Sequence, residues 1–456
     1  MRPRSLTPLI ALGVLALGVL TLGSACDERA PEPTPPDVGR YTTEGSAVFD
    51  GHGRQLLLRG VNVPTLDATE AEFRRIADWG ATVVRQLYFW ADVEPVEGEI
   101  DHLFIERIAD QVALAKEQGL LVLLDMHQHT FGVGFLWGMP YWACDESYYE
   151  SCDDPCDYFD VEVQACFEQF WRSEALTQQY IDHLVLLAER FADEPAVIGF
   201  DVMNEPFCAH ENMNGCGVVL GDFYARAAEA ILAVAPHKLI FFEPNYMAYL
   251  GLPTEVTAPT YPNAVYAPHY YLMSIHDGGD YDLNPEPILG ALAMRQSEAD
   301  AFGTPMFMGE FGGMAQVAGF DQFIEDHMHA FDHHLAGYAY WLYARGDGFH
   351  LLDPEGREKP FVDVFVRPYP QRTPGTLTSL AYDRATRVMH LRFTGDASLD
   401  ASGLLYVPDR HYPDGFSLTG CDAPDCTWEH DPTRQRSAFW ITADGDYELT
   451  LSPPEP

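Results

Sequence analysis

The feature that most constrains the fold is the alternation of short apolar segments with amphipathic segments in the middle of the chain. Near-continuous apolar strands separated by helices indicate a parallel sheet buried on both faces. Eight strand–helix units in about 300 residues predict a (β/α)8 TIM barrel. An open doubly wound sheet is less favoured, because no glycine-rich phosphate loop follows the first strand. The eight predicted strands are 56–63, 81–89, 120–127, 197–205, 238–244, 264–271, 306–311 and 338–343.

Local signals support helices between these strands. Thr69 and Glu72 have the spacing of a capping box just before an apolar face. The segment 101–118 carries apolar residues at helical spacing, and Gly119 follows as a C-terminal cap. These signals predict that the first two strands are each followed by a helix.

The pattern changes at about residue 369. Met389, Leu391 and Phe393 alternate with polar residues, and similar period-two runs follow, separated by turn residues. This pattern predicts a small antiparallel β-sandwich over 369–456, after a barrel domain over 41–368. We expect the sandwich to pack on the barrel rather than to bind carbohydrate or membrane.

The N-terminus has the pattern of an export signal. Arg2 and Arg4 precede an apolar run over 9–22, and small residues lead to Cys26. The segment 22–26 resembles a bacterial lipoprotein cleavage box, although Gly23 stands where leucine is usual. We expect a signal peptide over 1–25, lipidation of Cys26 and a proline-rich tether over 26–40. The protein would then be exported and either anchored to the bacterial cell envelope, with membrane contact through Cys26, or simply secreted.

Cysteine usage agrees with export. Besides Cys26 the chain has eight cysteines in local groups, which suits disulfides that pin loops. The predicted pairs are Cys208–Cys216 and Cys421–Cys426. The remaining group allows three pairings, and we favour disulfides there over a zinc site. This group is Cys144, Cys152, Cys156 and Cys166.

The charge excludes one broad class of function. Lys plus Arg is 27 and Asp plus Glu is 69, so the net charge is 27 − 69 = −42. Such an acidic surface repels phosphate backbones, so we expect no nucleic-acid partner.

Polar side chains follow the predicted strands at the rim where barrel enzymes carry their chemistry. Glu205 and Glu310 end the fourth and seventh strands. Two glutamates that face each other across a cleft are typical of glycosidic bond cleavage. Glu243 and Asp125 are further candidates, and the residues alone do not exclude them.

Two motifs, with single residues at the other strand ends, resemble the signature of glycoside hydrolase family five. The motifs are Asn204-Glu205-Pro206 and Gly309-Glu310-Phe311-Gly312. The resemblance implies that Glu205 is the acid/base, that Glu310 is the nucleophile and that Asn204 bonds the sugar 2-hydroxyl. A carboxyl that faces another carboxylate should have a raised pKa, as an acid/base needs. The expected outcome is retention, with carboxyls about 5–5.5 Å apart.

The resemblance also assigns the residues around this pair. Arg85 and Tyr271 would support Glu310, and His269 would lie beside Glu205. His127 would hold sugar hydroxyls, and Trp341 would be a platform for the sugar ring. These assignments follow from the resemblance and not from spacing.

Three segments resemble the endoglycoceramidase branch of the family, whose members cleave the β-glucosidic link between oligosaccharide and ceramide. They are Leu124-Asp-Met-His-Gln128, Phe241-Phe-Glu-Pro244 and Val366-Arg-Pro-Tyr-Pro-Gln371. His129 stands where the branch usually has aspartate, and we expect it near bound sugar or aglycone. The alternative is a same-family β-glucosidase or endoglucanase that acts on steryl glucosides or β-glucans. A non-catalytic glycan binder is disfavoured because both glutamates are present.

The segment 130–171 is rich in aromatic residues. It could wall an apolar groove for a lipid chain, with 246–250 as the other wall, or form its own small core. His127 and His129 raise the question of a metal ion, but we expect their side chains to diverge. We therefore expect no metal, no cofactor and a monomeric enzyme with a glycolipid substrate.

Overall fold

The structure is a computed structural model that describes residues 39–133, 138–151, 156–208, 215–399 and 401–454. The predicted signal peptide, Cys26 and most of the tether lie outside the described residues. So do residues 134–137 and 152–155 of the aromatic-rich segment, the second of which includes Cys152. Within the described ranges, no helix has the length and apolar character needed to cross a membrane.

The chain alternates strands and helices up to Phe365 and then continues as strands. The strands are β1 (Thr42–Glu44), β2 (Ala47–Phe49), β3 (Gln55–Leu56), β4 (Arg59–Val63), β5 (Val83–Tyr88), β6 (Leu121–Met126), β7 (Val197–Asp201), β8 (Leu239–Phe242), β9 (Ala264–Tyr266), β10 (His269–Tyr270), β11 (Phe307–Phe311), β12 (Gly337–Tyr340), β13 (Tyr369–Thr373), β14 (Gly375–Asp383), β15 (Val388–Gly395), β16 (Gly403–Tyr406), β17 (Ser417–Thr419), β18 (Cys426–Asp431), β19 (Arg436–Ile441) and β20 (Gly445–Ser452). The helices are α1 (Glu70–Asp78), α2 (Trp90–Val93), α3 (His102–Glu117), α4 (Glu146–Ser151), α5 (Val161–Arg172), α6 (Glu174–Phe191), α7 (Cys216–Val234), α8 (Met273–His276), α9 (Glu286–Phe302), α10 (Phe320–His334) and α11 (Val362–Phe365).

The first large sheet is a closed parallel barrel. Its strands follow the order β10-β11-β12-β4-β5-β6-β7-β8-β9, and every pairing is parallel. Strands β9 and β10 are two halves of the sixth strand, and a bridge from Tyr266 to Met306 links β9 to the chain just before β11. The eight strand positions match the eight predicted runs, so the predicted barrel fold is confirmed.

Burial explains why these segments are strands. β4 to β12 are buried along their whole length, as expected for a sheet covered inside and outside. Inside the barrel, Leu121, Leu239 and Phe307 belong to one apolar cluster, while α1 and α3 pack outside. Thr69 forms the predicted capping box with Glu72, and the Asp101 side chain caps α3.

The second part is a pair of antiparallel sheets, as predicted for a sandwich. One sheet has the order β14-β15-β20-β17, and Phe393 in it meets Phe439 of the other sheet at 5.7 Å between ring centroids. The other sheet has the order β1-β2-β3-β13-β16-β19-β18, so strands from the start of the chain join it. Arg372 pairs with Leu56 across this junction. The sequence pattern does not reveal this pairing between distant segments.

Both predicted disulfides are present. Cys208 bonds Cys216, and Cys421 bonds Cys426. In the remaining group, Cys144 bonds Cys166, which selects among the three pairings left open. The Cys208–Cys216 bond lies three residues after Glu205 and holds the start of α7 beside the rim of the barrel.

Candidate active site

The polar strand ends meet at one cavity of about 1020 Å³ at the C-terminal rim of the barrel. Arg85 and His269, which are fully buried, lie beneath its floor. The other seven residues predicted from the sequence line its wall: His127, His129, Asn204, Glu205, Tyr271, Glu310 and Trp341.

Glu205 and Glu310 face each other in this cavity. An oxygen of each, together with a ring nitrogen of His269, lies within 4.8 Å of the others. Both carboxyls are nearly buried but reach the cavity, with 6% and 4% of their surface exposed. This close approach agrees with the carboxyl pair of a retaining glycosidase, about 5–5.5 Å apart, rather than with the separation of about 6.5–9.5 Å in an inverting enzyme.

The backbone at Glu205 is unusual. Its φ is +43°, in the left-handed region that non-glycine residues seldom adopt. The Glu243 carboxylate accepts a hydrogen bond from the Glu205 backbone N–H at 2.8 Å, and Gln128 donates to the Glu205 carbonyl at 2.8 Å. These two bonds hold the chain in a conformation that turns the Glu205 carboxyl into the cavity.

Arg85 organises the floor of the site. Its guanidinium donates to Glu310 at 3.0 Å, to Asp201 at 2.9 Å and to the Asn204 side-chain oxygen at 2.8 Å. It also lies 2.9 Å from Asp125 and 3.1 Å from Glu243. A planar guanidinium can serve several acceptors at fixed angles, which one lysine ammonium at this position could not do. Arg85 therefore ties the ends of the second, third, fourth, fifth and seventh strands together.

Glu310 receives two hydrogen bonds on its two oxygens. Arg85 donates to Oε1 at 3.0 Å, and the Tyr271 hydroxyl donates to Oε2 at 2.7 Å. Each carboxylate oxygen therefore has its own hydrogen-bond donor. The side chain is thus held with its charge paired and its oxygens fixed, as a nucleophile at this position requires.

Glu205 has a different environment. Burial raises its pKa to about 7; the hydrogen bond from His269 opposes this rise, and the nearby Glu310 charge adds to it. The His269 Nδ1 atom lies 3.0 Å from Oε1. A carboxyl with a pKa near 7 can donate a proton in one step and accept one in the next.

His269 is held between carboxylates. Burial disfavours its charge, but the Glu243 and Glu310 carboxylates outweigh burial and raise the pKa of His269 well above its ordinary value. Its Nε2 atom lies 3.2 Å from Glu243. Gly309 leaves room for this ring, because a Cβ atom there would lie 2.7 Å from Nε2. The glycine before Glu310 therefore permits the histidine beside Glu205.

The other two candidate carboxyls of the sequence analysis do not open onto the cavity. Glu243 and Asp125 are fully buried and do not line the cavity. Glu243 supports the Glu205 backbone and His269, and burial raises the pKa of Asp125 well above its ordinary value. Glu205 and Glu310 are therefore the carboxyls that a substrate can reach. Asp201 and Asn62 also support the site, because Arg85 donates to both at 2.9 Å and 3.0 Å, and sequence reasoning missed these two residues.

The wall of the cavity carries a stacked pair. The His127 ring lies against the Trp341 indole at 5.3 Å between centroids and 12° between planes. The His127 Nδ1 atom lies 2.8 Å from Asp125, which fixes the ring, and burial lowers the pKa of His127 to about 3. Asn204 accepts from Arg85 and donates to the Gln128 carbonyl at 2.9 Å, which leaves its second amide hydrogen for a ligand.

The expectation that His127 and His129 diverge is wrong, because both line the same cavity. Residues two apart on an extended chain point to the same face. Even so, His127 and His129 do not form a cluster of potential metal ligands. Among the described residues, the ligand atoms close enough to share an ion belong to Glu205, His269 and Glu310. There Arg85 and a protonated His269 already supply positive charge, so we assign no ion to the site.

The apolar wall contains residues of the predicted second wall, 246–250, and the described part of the segment 130–171 takes the other of the two alternatives left open for it. Tyr246, Tyr249, Leu250 and Met273 line the cavity. Phe131 and other described rings of the segment 130–171 pack on one another and on α5, so that part of the segment forms its own core.

Comparisons with known proteins agree with this geometry. Residues 49–346 match the family described as cellulase (glycosyl hydrolase family 5), and residues 367–450 match the family 5 C-terminal domain. Endoglycoceramidase I of Rhodococcus hoagii is 27% identical over 82% of this chain and 81% of its own length. Endo-glycoceramidase II from Rhodococcus sp., in a complex with a cellobiose-like imidazole, superposes with a TM-score of 0.80, 26% identity and coverage of 89% of this chain and 99% of its own. Its ganglioside GM3 complex gives a TM-score of 0.80 at 25% identity, covering 90% and 100%.

The first of these matches spans most of the chain and includes both facing glutamates, Glu205 and Glu310. The chain therefore belongs to glycosyl hydrolase family 5.

Proposed function

We propose that this protein hydrolyses the β-glycosidic link between the sugar and the ceramide of glycosphingolipids, with retention of configuration. The observation that carries the proposal is the Glu205–Glu310 pair, within 4.8 Å at the floor of a cavity that has both polar and apolar walls. Sugar and lipid are joined at the bond to be cleaved, so a site for such a substrate needs both surfaces beside the acid.

In the first step the Glu310 carboxylate attacks the anomeric carbon. The bond between this carbon and the glycosidic oxygen breaks, and Glu205 gives its proton to that oxygen, so the lipid leaves as an alcohol. Arg85 and Tyr271 hold the Glu310 carboxylate aligned until the attack. The products of this step are a glycosyl ester on Glu310 and an ionised Glu205.

In the second step water attacks the same carbon from the side that the lipid has left. Glu205 takes a proton from this water, and the ester bond to Glu310 breaks. The Glu310 charge is absent while the ester exists, which removes one of the causes that raise the pKa of Glu205. Glu205 is therefore a stronger acid in the intermediate, and its protonation returns when Glu310 is released.

The substrate class rests on the cavity wall and on the relatives. Tyr246, Leu250 and Met273 give the cavity an apolar side, while His127 and Trp341 give it a polar and aromatic side. The relatives described above carry the names endoglycoceramidase I and endo-glycoceramidase II. A sugar on the Trp341 side and a lipid on the Tyr246 side would place the scissile oxygen beside Glu205.

The test is a product analysis with the full chain. Purified enzyme is incubated with ganglioside, glucosylceramide, steryl glucoside and soluble β-glucan, and the products are separated by thin-layer chromatography and identified by mass. We expect an intact oligosaccharide and intact ceramide from the ganglioside, and the sugar in the β-anomeric form at early times. Release of sugar only from β-glucan or steryl glucoside would reject the ceramide substrate but not the hydrolase.

Two variants connect this activity to the site. Glu205→Gln and Glu310→Gln should each lower turnover by at least about 10³-fold. Glu286→Gln is a matched control, because Glu286 is an exposed residue at the start of α9. Near-normal turnover by the Glu310→Gln variant would reject the assignment of the nucleophile.

We further propose that the enzyme acts outside the cytoplasm, with Cys26 as a lipid anchor. The support is the signal-like sequence over 1–25 and the disulfides, which form in oxidising compartments. Metabolic labelling with a fatty-acid analogue, compared between wild type and Cys26→Ser, tests the anchor.

A further inference from the structure

Tyr249 belongs to the wall of the cavity, but its hydroxyl takes part in the buried network beneath the site. The residue follows β8, and 5% of its surface is exposed. Its hydroxyl donates a hydrogen bond of 2.5 Å to Oε2 of Glu243, a carboxylate that does not line the cavity. Burial raises the pKa of Tyr249 well above its ordinary value, and the Glu243 charge adds to this rise, so the residue remains a phenol that donates.

Glu243 holds Glu205 in two ways. Its Oε2 atom, to which Tyr249 donates, also accepts from the Glu205 backbone N–H at 2.8 Å, and this bond helps to hold Glu205 at its positive φ. Its Oε1 atom lies 3.2 Å from the Nε2 atom of His269. The Nδ1 atom of the same ring lies 3.0 Å from Oε1 of the Glu205 carboxyl. The backbone and the side chain of Glu205 are therefore both tied to Glu243.

The Tyr249 ring also packs on His269. The two ring centroids are 5.1 Å apart, and the planes differ by 14°. A stacked aromatic face restricts the tilt of the imidazole and attracts its positive charge. Tyr249 thus reaches the acid/base by two routes, because its hydroxyl acts on Glu243 and its ring acts on His269.

We propose that Tyr249 is a positioning residue for the acid/base: through Glu243 and His269 it fixes the place and the proton affinity of the Glu205 carboxyl. The proposal rests on the assignment of Glu205 as the acid under the proposed function. It goes beyond that function, because it gives a residue of the cavity wall a part in the proton transfer.

The Tyr249 hydroxyl should lower the pKa of Glu205. The O–H dipole turns its positive end to Glu243 and so weakens the negative potential of that carboxylate, which raises the pKa of Glu205. Without the hydroxyl, Glu243 either keeps a less compensated charge or takes the proton of His269. The first change strengthens the repulsion of an ionised Glu205, and the second removes an imidazolium charge that lowers its pKa. Both changes therefore raise the pKa of Glu205.

Other titratable groups face the same two carboxyls. Around Glu205 they are His129, Tyr158, Tyr246, His269, Tyr271 and Glu310. Around Glu243 they are Arg85, Asp125, Asp201 and Tyr224. Because Tyr249→Phe leaves all of these side chains in place, a shift of the pH profile in that variant reports the loss of the hydroxyl.

The test compares two substrates with the same sugar and different leaving groups. Octyl β-lactoside needs a proton on its departing oxygen, whereas 2,4-dinitrophenyl β-lactoside releases a stable anion. In Tyr249→Phe, which keeps the ring and removes the hydroxyl, the ratio of kcat/KM for octyl over dinitrophenyl lactoside should fall about 10-fold. The alkaline limb of kcat/KM for the octyl lactoside should move about 0.5 pH unit higher.

Two further variants separate the ring from the hydroxyl and control for the change itself. Tyr249→Leu also removes the stacked ring, so its loss on the octyl lactoside should exceed that of Tyr249→Phe. Tyr281→Phe is the matched control, because the Tyr281 hydroxyl donates to the Asp326 carboxylate, also at 2.5 Å, and neither residue lines the cavity. It should leave both the substrate ratio and the alkaline limb unchanged.

An equal loss on both substrates in Tyr249→Phe would overturn the proposal, as would an alkaline limb that stays in place or moves to lower pH. Tyr249 would then be part of the wall only. If Glu205→Gln itself loses no more activity on the octyl lactoside than on the dinitrophenyl lactoside, the acid is another group, and the failure lies in the proposed function.

Discussion

Replacing the acid/base by its uncharged isostere should stabilise this protein at alkaline pH. The pKa of Glu205 is raised from 4.5 to about 7, chiefly by burial. A carboxyl with a raised pKa in the folded state contributes its full stability below pH 4.5 and loses it as the pH rises through 7. At 1.36 kcal/mol per pKa unit, the loss is about 3 kcal/mol at pH 8. Glu205→Gln does not titrate, so it avoids this loss.

The assay is thermal or urea unfolding of wild type and Glu205→Gln at pH 5 and pH 8. We expect the variant to gain about 2–3 kcal/mol relative to wild type between these two pH values, which corresponds to a shift in Tm on the order of 5 °C. Comparing the difference between pH values removes any constant effect of the amide itself.

Two further variants check that the expected stability gain at pH 8 comes from Glu205 and not from the loss of any glutamate. Glu310→Gln should destabilise at pH 8, because it removes the partner of Arg85 and leaves a buried cation less well paired. Exposed Glu286→Gln should show no difference between the two pH values. The reasoning fails if Glu205→Gln loses stability relative to wild type on going from pH 5 to pH 8, or if the relative stability is the same at both.

Three other changes have defined outcomes. Arg85→Lys should lower kcat by at least about 10²-fold and the free energy of unfolding by about 3–5 kcal/mol, because one ammonium cannot replace the bonds to Glu310, Asp201 and Asn204. Steady-state kinetics and urea unfolding measure the two effects, and a variant that is both stable and active would contradict the prediction. Tyr271→Phe should lower kcat about 10-fold with a smaller change in KM, because it removes a bond to the nucleophile; a change in KM alone would count against this role. The double variant Cys208→Ser, Cys216→Ser should lower the free energy of unfolding by about 2–3 kcal/mol, and reductant should no longer lower Tm through this disulfide. An unchanged Tm in the variant would show that the loop is held without the bond.

The fold was predictable because its signals are local and repeat along the chain. Each barrel strand is a buried apolar run, and consecutive parallel strands bring their C-terminal ends to one rim. Knowing that Glu205 and Glu310 end the fourth and seventh strands is therefore enough to expect them at the same opening. The capping box at Thr69 and the short-range disulfides are equally local, since their partners lie a few residues away.

The roles of the buried groups were not predictable in the same way. Nothing in the sequence tells that Glu243 holds the Glu205 backbone or that Asp201 shares Arg85. Each of these depends on which atoms of distant strands approach within about 3 Å, and strand order does not fix distances on that scale.

The sequence by itself determined the strand order, the residue types at each strand end and the nearest disulfide pairs, because each depends on neighbours along the chain. Only the tertiary structure decided which carboxyls open onto the cavity and which are enclosed around Arg85. It also decided that strands β1 to β3 join the sheet of the C-terminal sandwich through the pairing of Leu56 with Arg372. The physical reason is that burial, and with it the pKa of a group such as Glu205, is set by atoms that are remote in the sequence.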